Sequence, residues 1–390
     1  MYKRILDINL PHKQSAFLWG ARKTGKSTFL KYNFPQSVYY DFLQYDLFIK
    51  FSKAPNTLRE EILALPQEKM KYPIIIDEVQ RIPSILNELH WLIENTDANF
   101  ILCGSSARKL KKSHVNLLGG RAWKYNFYPL VFKEITDFSL IKILNNGAIP
   151  SHYLSSNPRK SLKAYIEDYL TQEIQFEGLV RNIPAFAKFL DIMPFSNGEM
   201  TNFANIARDC GVDAKTVKEY YQILIDTLLG YYVLPYNKSI RRDIIRSVPK
   251  FYLFDVGVAN FLAKRKISCL RGAEAGKALE NYVLQELVAF KNIKEIDMDI
   301  LYWRTKTGLE VDFILDINRK KLIPIEVKIS QNIHSSELKG LKAFINTHDV
   351  QTAYLVCLET RARKIIYNEK SIYLLPIEEF LEKLWNGELI

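Results

Sequence analysis

Two groups of residues in this 390-residue chain have types and spacings suited to phosphate chemistry. The first is Gly20-Ala21-Arg22-Lys23-Thr24-Gly25-Lys26-Ser27-Thr28, which from Gly20 to Ser27 fits the pattern G-x-x-x-x-G-K-[ST]. Its glycines allow backbone conformations that a Cβ would penalise, so successive N–H groups can face phosphate oxygens. Lys26 would reach the β- and γ-phosphates of ATP, and Ser27 would offer its hydroxyl to Mg²⁺. The apolar "SAFLW" before the loop and the helix-compatible "STFLKY" after it are the right context, and the helix would add its positive end. Arg22 and Lys23 bring further positive charge. Downstream, "YPIIIDEVQ" ends a β-branched run in Asp77-Glu78, the form of a Walker B strand. Asp77 would hold Mg²⁺ through water and Glu78 would polarise the attacking water. A further apolar run ends "NFILCGSS", where Ser105 or Ser106 could sense the γ-phosphate; the sequence does not choose between them.

The second group lies near the other end. "GLEVDFIL" places Asp312 in a strand-like run, and "IPIEVK" places Glu326 and Lys328 on the next. Residues i and i+2 of a strand share a face, so Glu326 and Lys328 point the same way. A preceding helical segment carries Glu280 among Leu279, Tyr282, Val283 and Leu287. Buried strands tolerate unpaired carboxylates poorly, so Asp312 and Glu326 are expected to share a partner such as a metal ion or Lys328.

The elements that must position these groups follow from the apolar patterning. Residues 1–150 alternate strand-like runs ("AFLWG", "SVYYDF", "YPIIIDE", "NFILCGS") with amphipathic ones, which predicts a parallel α/β sheet. "GAIPSHYLSSNPRKS" (147–161) has the composition of a boundary. Residues 151–250 read as mostly helical. There, a helix over 202–209, a turn at Gly211, a helix from Ala214 to about Leu229 capped by Asp213, and the apolar "YYVLPY" have the shape of a winged helix-turn-helix. Such a module reads DNA or serves only for packing and protein contact. From 272 the order is helix, strand, strand, strand, helix, strand, a small α/β domain with its own core within 251–390.

The phosphate loop, "IIIDEVQ", "FILCGSS", "LLGGRAWKYNFYPLVFKEI" and "VPKFYLFDVGVANFL" (248–262) together resemble an AAA+-type P-loop ATPase family common in bacteria and archaea, whose members carry a C-terminal region of unknown function. The resemblance covers most of the chain. It implies binding and hydrolysis of Mg²⁺·ATP, and it makes Arg121 an arginine finger on the nucleotide of its own or a neighbouring subunit; the second case implies a homo-oligomer. The helix acid, strand Asp and Glu-x-Lys resemble the PD-(D/E)XK nuclease core. That likeness implies Mg²⁺ or Mn²⁺ held by Glu280, Asp312 and Glu326, with Lys328 positioning water or neutralising phosphate.

The net charge is +11. Residues 1–150 hold 21 basic and 13 acidic residues, so most of the surplus is N-terminal and includes "RKLKK" at 108–112. That surface could attract nucleic acid or be a solvated loop. Cys103, Cys210, Cys269 and Cys357 lack metal or redox spacing and are expected to be reduced core thiols. The N-terminus lacks the apolar run of a signal peptide, and no stretch approaches the roughly 18 apolar residues of a membrane span, so a cytoplasmic protein is expected. The expected function is an ATPase coupled to a nuclease-like domain acting on nucleic acid. The alternative is an ATP-dependent switch that binds DNA or a partner protein and cuts nothing.

Overall fold

The computed structural model describes all residues except 1, 107, 109, 111–117, 171–179, 181 and 238–247. The chain divides into two compact units, residues 1–130 with 226–229 and residues 131–225 with 230–390.

In the first unit every expected strand is present: β1 (Ser15–Trp19), β2 (Tyr39–Asp41), β3 (Ile74–Asp77) and β4 (Phe100–Gly104). Between them lie α1 (Lys26–Asn33), α2 (Tyr45–Lys53), α3 (Asn56–Leu63), α4 (Gln67–Met70) and α5 (Ile85–Asn95). A fifth strand, β5 (Ala122–Asn126), closes the order β2-β3-β4-β1-β5, and every pairing is parallel. Alternate residues of one strand enter different cores. Ile74, Ile76, Phe100 and Leu102 join one cluster, while Ile75, Ile101 and Cys103 join another. A sheet covered on both faces needs apolar residues at every position, which is why these strands read as unbroken apolar runs. β1 lies inside the sheet while the chain crosses to the far edge for β2, so the loop after β1 opens at a switch point where parallel sheets bind ligands.

The second unit begins with helices: α6 (Leu140–Asn146), α7 (Pro150–Tyr153), α8 (Pro158–Ala164) and α9 (Ile183–Ile192). The compact units part at 130/131 rather than within 147–161. The Pro residues there start α7 and α8, a position where the missing N–H costs nothing. The helical pair is α10 (Phe203–Cys210) and α11 (Ala214–Asp226). Gly211 closes α10 at φ 71°, and the Asp213 carboxylate accepts the Thr216 N–H at 2.8 Å. The strand that follows, β6 (Gly230–Pro235), pairs antiparallel with β7 (Lys250–Leu253).

After α12 (Val256–Leu262) come α13 (Gly272–Ile293), β8 (Met298–Arg304), β9 (Glu310–Ile317), β10 (Lys321–Val327), α14 (Lys339–Thr347) and β11 (Thr352–Cys357), the expected order. β12 (Arg363–Tyr367), β13 (Lys370–Pro376) and α15 (Ile377–Asn386) complete the chain. The sheet runs β12-β13-β11-β10-β9-β8-β6-β7. "YYVLPY" is therefore no isolated wing: Leu234 and Pro235 pair with Leu301 and Tyr302 of β8.

Cys103, Cys210 and Cys357 are buried, but Cys269 is exposed in the segment leading to α13, so it is not a core thiol. Of "RKLKK", Lys109, Lys111 and Lys112 lie outside the described residues. No helix among the described residues is long and apolar enough to cross a membrane.

Glu286 on α13 ties distant segments together. Its carboxylate accepts the Phe132 N–H at 2.9 Å and the Trp385 indole N–H at 2.7 Å. Burial pushes its pKa from 4.5 up to about 7, against the pull of those donors. The folded chain thus keeps a proton that the unfolded chain has lost, so this group's stabilisation falls as pH rises from 4.5 through about 7. Glu286→Gln cannot ionise and should flatten that fall by up to about 1.4 kcal/mol per pH unit. Urea denaturation across the range checks it; an unchanged slope would remove Glu286 as the source.

Candidate functional site

The loop after β1 is shaped by two glycines. A Cβ at Gly20 would lie 2.3 Å from the Phe127 carbonyl oxygen, and Gly25 takes φ 97° at the start of α1. Gly25 provides no side-chain cap, so the first-turn N–H groups of α1 remain open to an anion. The Lys26 ammonium donates to Gly20 O (2.6 Å) and Ala21 O (3.0 Å), and Thr24 Oγ1 donates to Ala21 O (2.8 Å). Arg22 is half-buried, while Lys23 and Thr28 are exposed. Arg4, which sequence reasoning missed, braces the loop: it donates to Thr24 O (2.9 Å) and Tyr128 O (2.7 Å), with its guanidinium over the Phe127 ring.

β3 delivers both acids to this loop. Ser27 Oγ donates to Asp77 Oδ2 at 2.6 Å. Two hard oxygen donors side by side, next to the loop lysine, are the donor set that suits Mg²⁺. The phenol of Tyr39, also missed, donates to the same Asp77 oxygen. Burial first, then the Asp77 charge, pushes the Tyr39 pKa far up. Glu78 adopts φ 58°, a left-handed conformation uncommon outside glycine and frequent at functional sites. Its carboxylate lies 3.8 Å from the Arg22 guanidinium and accepts from Gln80 Nε2 at 2.5 Å.

The two serines after β4 separate cleanly. Ser105 Oγ accepts from Gln80 at 3.2 Å and so belongs to the Glu78 neighbourhood. Ser106 Oγ donates to Asp226 O and accepts the Arg108 N–H. Arg121 sits elsewhere. It precedes Ala122, which pairs with Ser15 at the start of β1, whereas the phosphate loop leaves the end of β1 after Trp19. Those four strand steps span roughly 13 Å, and Arg121 pairs with Glu94 there. It is thus turned away from its own chain's loop, which removes the same-subunit finger role.

The C-terminal group does converge. Glu280 on α13, Asp312 on β9, and Glu326 with Lys328 at the end of β10 interact electrostatically with one another. Asp312 Oδ2 accepts the Val327 N–H at 2.8 Å, and the Lys328 ammonium pairs with Glu326 Oε1. A further cation, missed in the sequence, is buried among them. Lys250 Nζ lies 2.5 Å from Glu310 Oε1 and 3.4 Å from Glu280 Oε1. Tyr252 OH donates to the same Glu280 oxygen at 2.5 Å. Burial pushes the Glu280 pKa up to about 7 and also raises those of Asp312 and Glu326. The acids raise Lys328 to about 12 despite its burial. Glu326 Oε2 is buried without a hydrogen-bond partner. Among the described residues no three His, Cys, Asp or Glu side chains are arranged to hold a metal ion, so the arrangement of Glu280, Asp312 and Glu326 gives the expected ion site no support. Lysines and a tyrosine answer these acids instead.

Comparison with known proteins follows this division. Residues 12–136 match a family described as an AAA domain, which supports the P-loop reading of this segment. Residues 138–268 and 275–380 match two families described as domains of unknown function, DUF8612 and DUF4143. An uncharacterized protein of Methanocaldococcus jannaschii is 23% identical over 408 residues, covering 96% of this chain and 87% of the relative. An uncharacterized protein of Mycobacterium tuberculosis is 23% identical over 252 residues, covering 63% of this chain and 56% of the relative's length. A structure of Thermococcus gammatolerans McrB AAA+ hexamers with bound McrC covers 53% of this chain and 52% of its own at 10% identity, with a TM-score of 0.24, too slight a likeness to build on.

Lys250→Met keeps the apolar stem and removes the ammonium, leaving half-buried Glu280 with the Tyr252 hydroxyl and half-buried Glu310 with Arg304. It should cost about 1–3 kcal/mol of stability. Chemical denaturation checks this, and a loss below about 1 kcal/mol would mean that the acids are neutralised by other means.

Proposed function

We propose that this chain binds and hydrolyses Mg²⁺·ATP at Gly20–Thr28, and that the nucleotide governs what the C-terminal acid–lysine cluster and the helical pair hold. The observation carrying the first part is the convergence of Lys26, Ser27, Asp77 and Glu78 at one end of β1 and β3. Mg²⁺, when bound, supplies positive charge at the phosphate oxygens. Ser27 Oγ and Asp77 are the residues that would hold it. Lys26 contributes a charge already drawn into the loop by two carbonyls. Glu78 is the base toward the attacking water. Arg121 pairs with Glu94 away from its own phosphate loop, so in this reading it completes the site of a second copy.

For the C-terminal half, the geometry favours a switch that binds a nucleic acid or a protein without cleaving it, because lysines already neutralise the acids. A second reading, a PD-(D/E)XK-type nuclease, draws support from the order of α13 through β11 and from the buried, unpartnered Glu326 Oε2. α10, α11 and β6 would then present the nucleic acid in the manner of a winged helix. That segment holds few surplus charges, which weakens the DNA role.

Lys26→Ala should abolish ATP binding or turnover, and turnover at the wild-type level would overturn the site. Glu78→Gln should bind ATP yet hydrolyse it about 10²–10⁴-fold more slowly. Incubation with single- and double-stranded DNA and RNA, with Mg²⁺ or Mn²⁺ and with or without ATP, separates the C-terminal readings. The switch predicts nucleotide-dependent binding that survives Asp312→Ala. Divalent-dependent cleavage by wild type that vanishes in Asp312→Ala would establish the nuclease.

A further inference from the structure

We infer that Gln80 is a positioning residue that couples the γ-phosphate side of the site, at Ser105, to the direction of the Glu78 carboxylate. This rests on the reading of Gly20–Thr28 as an ATP-hydrolysing site. Gln80 follows β3, close behind the two acids, and is almost wholly buried. Its amide nitrogen has two hydrogens, and both are used: one reaches Glu78 Oε2 at 2.5 Å, the other Ser105 Oγ at 3.2 Å. Its carbonyl oxygen lies against the backbone of Gly104, where a Cβ would come within 2.3 Å of it. The absent side chain at Gly104 thus makes room for the amide. The same Glu78 oxygen lies 3.8 Å from the Arg22 guanidinium of the phosphate loop. Glu78 is therefore held from two sides, by a loop residue and by an amide fixed on the tip of β4. Ser105 Oγ can accept from Gln80 while giving its own hydrogen to a phosphate oxygen, so a phosphate that draws the hydroxyl toward itself shifts the amide bonded to that oxygen, and through it where the Glu78 carboxylate points. Gln80 touches neither nucleotide nor water in this scheme; it acts through Glu78.

The test is steady-state ATP hydrolysis by the full chain carrying Gln80→Leu, Ser105→Ala or both, with nucleotide affinity measured separately using fluorescent ATP and ADP analogues. Loss of aim without loss of binding should lower kcat about 10–100-fold while KM stays near wild type. Because Ser105 acts through Gln80, the double variant should lose no more than Q80L alone. A kcat within about twofold of wild type, or fully additive losses, would overturn the coupling. Should Q80L fail to fold, Gln80→Met offers a flexible side chain of similar length, and the same split is expected. Wild-type protein that binds both analogues but never turns over ATP would instead remove the hydrolysis reading. In that event, an unchanged preference for ATP over ADP in the variant would overturn the coupling as well.

Discussion

A carboxylate sealed inside a protein must be answered by a proton, a cation or a hydrogen-bond donor within reach of its own side chain. This chain buries such groups repeatedly, and each sits where distant segments meet. Asp255 caps α12 and accepts the Ala148 N–H from the end of α6. Glu286 joins α13 to Phe132 and to α15. Asp77 draws in Ser27 and Tyr39, and Glu280 draws in Lys250 and Tyr252. Packing alone would permit small slides of one helix over another. The need to answer a buried charge fixes the register of the segments that do so.

The two candidate sites meet that need differently. At the phosphate loop the acids are answered by hydroxyls, an amide and, at 3.8 Å, the Arg22 guanidinium, groups that can exchange partners when phosphates and a cation arrive. In the C-terminal sheet, ammonium groups answer them, and a buried ammonium does not leave without exposing the acids it balances. The first arrangement suits a site that cycles. The second suits a site held in one form until something of comparable charge competes.

How much of this was legible in the sequence depended on how local each feature is. The phosphate loop is contiguous, and "IIIDE" announces its own strand end, so Lys26, Ser27, Asp77 and Glu78 were found from pattern alone. Asp312, Glu326 and Lys328 follow from period-two alternation and were also brought together as expected. Lys250 and Tyr252 are invisible as site residues because β7, which carries them, reaches the acids only through the tertiary pairing of β6 with β8. Tyr39 and Gln80 read as ordinary strand and loop residues, since nothing in spacing says which way a phenol or an amide will turn. Arg121 shows the converse. The motif suggested a role, but the direction of β5 put the side chain at the other end of the sheet.

The join between β6–β7 and the rest of the large sheet bears on how this protein can be divided. A fragment beginning at residue 251 matches the apparent start of the C-terminal fold, yet it would begin inside β7 and lack β6 entirely. The rim of β8 would be stripped of its neighbour, leaving open backbone donors and acceptors that invite self-association. The same cut would leave Lys250 on the discarded piece and the acids it balances on the one retained. A shorter piece intended to isolate the chemistry would thus carry an unquenched charge and a sticky rim, and its behaviour in a test tube would say little about the intact chain.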